Sequence, residues 1–154
     1  MSLPQRIAIT GASGMIGSAL VGHLKSEGHT IQRLVRRKPV SPDEVLWNPS
    51  TGEVDLAALE GVDAVIHLAG ANVGDKRWTK RYRAEILNSR LLGTNTIANA
   101  VTSLKPDVFI SASAIGWYGE TGNRAVKEDD RPGDDFLAAV CKEWEAAADS
   151  ASNT

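Results

Sequence analysis

The chain holds a single cysteine, Cys141, in 154 residues, which excludes an internal disulfide and a cysteine-rich metal cluster and fits a reducing compartment. Aromatic residues are also scarce, at 5%. No stretch approaches the ~20 apolar residues that a bilayer span needs, and the opening Met1-Ser2-Leu3-Pro4-Gln5-Arg6 lacks the apolar run of a signal peptide. The expected location is cytoplasmic. The net charge of −2 is too small for a nucleic-acid binder. It conceals a gradient: residues 1–51 carry six Lys/Arg against three Asp/Glu, and residues 105–154 carry five against ten. The basic first third suits a small anionic ligand better than a membrane or a nucleic acid.

What remains is an ordinary globular composition, 42% hydrophobic and 23% charged, with 14 glycines. A chain of this length buries roughly 68–70% of its unfolded surface, enough for one core. A single domain over residues 1–154 is expected.

Strand and helix signals alternate along it. Arg6 to Thr10 is a short β-branched run stopping at Gly11, and Met15 to Glu27 follows as a helix with Ile16, Leu20 and Leu24 on one face and Gly28 as its stop. Thr30 to Val35 is the second strand. Ser41 to Thr51 reads as loop, with a brief strand around Val45 to Trp47, and Asp55 to Glu60 as a short helix. Ala64 to Leu68 is apolar and ends at Ala69-Gly70. Thr79 to Ser103 is the longest helical pattern and stops before Pro106; Asp107 to Ser111 is a further strand. The last helix spans Asp134 to Asp149, with Asp134 or Asp135 as its N-cap. Such alternation predicts a Rossmann-type doubly wound parallel sheet, an α/β fold with helices on both faces. Ligands of such sheets bind at the carboxyl ends of the strands.

The residues at those ends carry the chemistry. Thr10-Gly11-Ala12-Ser13-Gly14-Met15-Ile16-Gly17 sets glycines three apart between a strand and a helix. The first permits a tight turn, the second lets backbone approach a pyrophosphate, and the third packs helix on strand. The helix start adds free N–H groups and a positive dipole end. Gly11, Ser13, Gly14, Met15, Ile16 and Gly17 are therefore candidate cofactor contacts. A Walker A loop is excluded because no Gly-Lys-Ser/Thr follows. An NAD-selective site would end its second strand with a carboxylate; here that place reads Val35-Arg36-Arg37-Lys38. Guanidinium suits a 2′-phosphate, so NADP(H) is the expected cofactor, with Arg36 and Arg37 as candidates.

His67-Leu68-Ala69-Gly70 closes another strand with small residues against which a nucleotide could lie. His67 has no partner at ligand spacing and reads as structural. Lys76, Arg77, Lys80, Arg81 and Arg83 gather five cations at a helix start, where the dipole disfavours them; a solvated face and an anionic ligand are both open readings.

These motifs, with Ser111 to Gly119 (SASAIGWYG), resemble the extended short-chain dehydrogenase/reductases, which include nucleotide-sugar epimerases. Leu46-Trp47-Asn48-Pro49, HLAGANV, Arg77-Trp78, RAEILNSR (83–90), Gly93-Thr94 and Trp144-Glu145 are similar to an atypical subgroup labelled epimerase family protein. The resemblance implies that Leu68, Ala69 and Gly70 meet the nucleotide and that Glu85 and Arg90 reach it from the long helix. Five places apart, those two point about 140° from each other. It further implies a small-molecule substrate, a homodimer paired through the two long helices, and a continuation into a substrate-binding portion that these residues do not include.

Catalysis in that family uses a strand-end Ser and a Tyr with a Lys four residues on. Ser113 matches the Ser and is the candidate catalytic residue. The Tyr and Lys positions fall at Leu137 and Cys141, and Lys142 has Ala138 four places before it. Tyr118 belongs to a different Tyr-Gly element, with Gly122 where its Lys would stand. Two functions follow as expectations: an NADP(H)-dependent epimerase or oxidoreductase, or a non-catalytic NADP(H)-sensing module.

Overall fold

A computed structural model describes residues 3–152. Met1, Ser2 and the final residues Asn153 and Thr154 of the polar chain end lie outside the described residues. The chain runs β1 (Arg6–Thr10), α1 (Met15–Ser26), β2 (Thr30–Val35), β3 (Glu44–Asn48), β4 (Glu53–Val54), a 3₁₀ turn at Ala57–Leu59, and β5 (Ala64–His67). There follow α2 (Lys80–Leu104), β6 (Val108–Ser111), a 3₁₀ turn at Ile115–Tyr118, and α3 (Phe136–Asp149).

One sheet forms, in the order β4-β3-β2-β1-β5-β6. Its five longer strands are parallel, with β1 pairing β2 from Arg6↔Thr30 to Thr10↔Leu34 and β5 from Ile7↔Ala64 to Thr10↔His67. Alternation along each strand divides the core. Ile7, Ile9, Ile31, Ala64 and Ile66 pack against Leu20, Val21 and Leu24 of α1. Ala8, Leu34, Val45, Trp47 and Val65 face Ile97, Ala98 and Val101 of α2. Helices thus cover both faces, which makes the fold the expected doubly wound one.

The departure lies at the far edge. β4 runs antiparallel to β3, with Trp47↔Val54 and Asn48↔Glu53 in register, where the sequence predicts mostly loop and an all-parallel sheet. A strand of two residues is too short to show periodicity. β3 is also one residue longer at each end than the expected Val45 to Trp47: Glu44, its buried charge met by Arg33 and Arg37, pairs with Arg33 of β2, and Asn48 pairs with Glu53 of β4. The helix expected over Asp55 to Glu60 is only the 3₁₀ turn. Of the two N-cap candidates for α3, Asp135 takes the role, accepting from the Ala138 N–H.

The chain leaves β1 to one side for β2 and returns to its other side for β5, so the loops after β1 and β5 diverge. That crevice is where such folds bind ligands. Among the described residues, no helix is long and apolar enough to cross a membrane, and no group of His, Cys, Asp or Glu is placed to hold a metal.

Candidate cofactor-binding site

A cleft of about 1060 Å³ opens over the carboxyl ends of the strands. Gly11 to Gly14 form one wall, Arg33 to Arg37 with Glu44 another, and Leu68 to Asn72 a third, while Glu85, Asn88 and Leu92 reach it from α2.

The glycine turn is built by close approach. Gly11 has φ +68°, and a Cβ there would lie 2.9 Å from the Leu68 carbonyl carbon. A Cβ on Gly17 would lie 2.1 Å from the Gly11 oxygen, so the first turn of α1 rests directly on the loop. The Gly14 N–H donates to the Gly11 carbonyl at 3.0 Å. Gly14 is the N-cap of α1, with no side-chain cap and no acidic residue in the first turn, so the helix start keeps its positive end. Met15 and Ile16 are exposed, and they and Gly17 lie outside the cleft lining, whereas Ser13 and Gly14 are within it.

Thr10 supplies what the motif alone does not show. Its hydroxyl oxygen accepts from the N–H groups of Leu68 (3.1 Å) and Ala69 (3.2 Å) and lies 2.7 Å from Nδ1 of His67. Its one hydrogen therefore goes to Nδ1, which leaves the His67 proton on Nε2. Nε2 has no hydrogen-bond partner among the described residues and faces Gly93, with the imidazole edge-on to Trp47. Burial lowers the His67 pKa to about 4, so the ring is neutral and structural. Thr10 is visible in the sequence as the polar residue that ends the apolar run of β1, but its two amide donors lie 58 and 59 residues away.

A stability consequence follows. The unfolded imidazole titrates near 6.5 and the folded one near 4, so the unfolded state binds more protons between these values. Stability is complete above pH 6.5 and falls as pH drops toward 4. Between pH 7.5 and 4.5 urea unfolding should lose about 2.5 kcal/mol from this group, and the loss should largely vanish in His67→Gln. An unchanged slope in that variant would show that His67 is not the titrating group. Below this window Asp43 and Glu44 take over, since hydrogen bonds from Arg33 and Arg37 respectively hold their carboxyls low, Glu44 at about 2.

At the end of β2 the three arginines differ. Arg33 closes on Asp43 with both Nε and Nη2 at 3.0 Å. Arg37 grips Glu44 with both terminal nitrogens, at 2.8 and 2.6 Å. Arg36 is exposed, lines the cleft, and has no hydrogen-bond or ion-pair partner among the described residues.

The loop after β5 is pinned to one face of α2. Ser89 accepts from the Ala71 N–H at 2.9 Å, the Tyr82 hydroxyl donates to the Asn72 carbonyl, and Arg90 donates to the Ala71 carbonyl at 3.0 Å. Arg90 lies beneath Gly70, its guanidinium 4.9 Å from the Trp144 ring centre and its pKa lowered by burial; it lines no part of the cleft. Glu85, half exposed, does line it and pairs with Lys76 at 3.6 Å. The two thus part company along α2, as their spacing requires. Of the remaining cations at the α2 start, Arg83 lies over Trp78 and Phe136, and Thr79 caps the helix.

Ser113 lies beyond β6, outside the cleft lining, and its hydroxyl donates to Glu145 of α3. Leu137 and Cys141 face the Ile115–Tyr118 turn: a Cβ on Gly116 would lie 3.1 Å from the Leu137 Cβ, and the Cys141 thiol donates to the Ala114 carbonyl at 3.7 Å. Burial raises the Tyr118 pKa, and the carboxylates of Glu128, Asp130, Glu145 and Asp129 raise it further. That is the wrong direction for a proton-relay phenol at neutral pH.

Comparison with known proteins agrees with this geometry. The chain is 45% identical over 141 residues to an epimerase family protein of Mycobacterium leprae, covering 92% of this chain and 46% of that protein. Among solved structures it is similar to a nucleoside-diphosphate sugar epimerase from Corynebacterium glutamicum (TM-score 0.82, 37% identity, 98% of this chain and 32% of that one). It is also similar to the human epimerase family protein SDR39U1 solved with NADPH (TM-score 0.80, 30% identity, 93% and 48%). The chain spans about half the length of the curated relatives it matches. Residues 7–139 match the NAD dependent epimerase/dehydratase family. With its glycine turn, its doubly wound sheet and its cleft at the switch point, the chain belongs to that family of short-chain dehydrogenase/reductase type.

Proposed function

We propose that this chain is the NADP(H)-binding part of a short-chain dehydrogenase/reductase-type epimerase or oxidoreductase acting on a small, nucleotide-linked substrate. The observation that carries the cofactor choice is Arg36, a cleft-lining guanidinium without a partner among the described residues, standing where an NAD site would present a carboxylate. The residues fit the group: the turn at Gly11 and Gly17 leaves no room for a Cβ, and the α1 start offers uncapped N–H groups.

In this reading the Gly11 to Gly14 backbone with Ser13 in the cleft, and the uncapped N–H groups of Met15 and Ile16 at its edge, hold the pyrophosphate, while Gly17 lets the helix approach the turn. Leu68, Ala69 and Gly70 present a flat wall to the nucleotide, and Glu85 accepts from ribose hydroxyls. Arg90 serves the same wall from beneath by bracing Ala71. Held there, the nicotinamide would supply hydride transfer. Ser113 is the group that would donate to a substrate oxygen, and since its hydrogen is engaged by Glu145, donation requires that bond to open.

One observation favours a second reading, a non-catalytic NADP(H)-sensing module: the places of the Tyr and Lys hold Leu137 and Cys141, which are packed rather than poised for proton transfer. If a full-length homologue, saturated with NADPH, turns over no carbonyl or nucleotide-sugar substrate, this second reading replaces the first.

Titration calorimetry of the chain with NADPH and NADH tests the cofactor assignment. NADPH should bind about tenfold or more tightly than NADH, the equivalent of ~1.4 kcal/mol. Absence of heat with either nucleotide would end both readings.

A further inference from the structure

The cleft wall holds a heavily paired acid among its bases. The Glu44 side chain is 2% exposed, yet it lines the same cleft as Arg36. Arg37 binds it through both terminal nitrogens, the Val40 N–H donates to it at 2.9 Å, and Arg33 lies 3.3 Å away. Arg33 is itself shared with Asp43, which Lys25 also approaches at 3.4 Å. An unpaired carboxylate at such a depth is strongly unfavourable, and one beside a 2′-phosphate would also repel it.

Both terminal nitrogens of Arg37 are therefore committed before any ligand arrives, one of them also to the Lys38 carbonyl. A guanidinium that grips a phosphate end-on uses this same pair of donors, and Arg37 keeps only its Nε–H and one Nη2–H outside these bonds. The adjacent Arg36 has its donors free of protein partners among the described residues.

Resting on the reading that Arg36 receives the 2′-phosphate, we infer that Arg37 sets cofactor selectivity indirectly. It is a positioning and screening residue that neutralises Glu44, and Glu44 is the latent element of the cleft that would reject a phosphorylated ribose. An acid supplied from β3 thus stands near the place that an NAD site fills from β2, and one arginine silences it.

The test is a double-mutant cycle read by calorimetry with NADPH and NADH. Arg37→Ala should weaken NADPH about tenfold and NADH by less than about threefold. Glu44→Gln alone should leave NADPH affinity unchanged or raise it, and adding it to Arg37→Ala should restore NADPH to within about threefold of the parent chain. A double variant as weak as Arg37→Ala would overturn the inference by showing that Arg37 contacts the phosphate itself, and a Glu44→Gln chain that loses NADPH would overturn it by showing that the Glu44 charge supports binding. If Arg37→Ala does not fold, Glu44→Gln still decides by the sign of its effect. A parent chain that binds neither nucleotide would instead refute the cofactor reading beneath, and a parent that binds NADPH isolates the question to Arg37.

Discussion

Arg36→Asp is expected to lower affinity for NADPH by about 100-fold while changing that for NADH by less than about threefold. The asymmetry is the point. A guanidinium that donates two hydrogen bonds to a 2′-phosphate makes charge-assisted contacts of about 1.5–3 kcal/mol each, and a carboxylate in its place adds repulsion of a dianion. NADH has no such phosphate, and an Asp at the end of β2 can accept from its 2′-hydroxyl. Because Arg36 is exposed, the substitution removes no packing, and circular dichroism should show the fold unaltered. Equal losses for both nucleotides would mean that the arginine sits on the shared diphosphate or merely on the surface.

Gly17→Ala should abolish binding of both nucleotides together. The added methyl would meet the Gly11 oxygen at 2.1 Å and the Ala12 Cα at 2.8 Å, both backbone, so no side-chain rotation relieves the clash. Either α1 slides outward or the turn opens, and each breaks the register between the helix start and the loop. Affinity for NADPH and NADH should fall by about 100-fold or more, with a stability cost of about 1–3 kcal/mol or above, the range for overpacking a rigid site. Gly22→Ala is the control on the same helix. It is exposed, nothing stands within 4 Å of its Cβ, and the change should stabilise by about 0.5–1 kcal/mol without touching affinity. Intact binding in Gly17→Ala would show that the close approach has slack that the geometry does not reveal.

The parts of this molecule that were legible in the sequence are those whose signal is local. The apolar runs of β1, β2 and β5 and the spacings of α1 and α2 depend on neighbours within a few residues, and so does the glycine turn. The fold followed from their order. Arg36 was legible because its place is counted from a strand end. What escaped depends on partners far along the chain. Thr10 matters through Leu68 and Ala69, and β3 begins at Glu44, a buried charge whose partners Arg33 and Arg37 lie on and beyond β2. Arg90 has its Nη1 on Ala71 and Ile86, and no periodicity argument supplies those partners. Ser113 was placed correctly after the last strand, but its commitment to Glu145, 32 residues on, could not be read from either residue alone.

The relatives are about twice as long as this chain. The cofactor site can nonetheless be judged on this chain, because its three walls all lie between Gly11 and Leu92.

The most direct test is a crystal structure of the chain grown with NADP⁺. The diphosphate should lie within about 3 Å of N–H groups in the Gly11 to Gly17 turn, and the 2′-phosphate at a similar distance from the Arg36 guanidinium. A nucleotide seated elsewhere, or one whose 2′-phosphate rests on another cation while Arg36 points into solvent, would contradict the cofactor assignment.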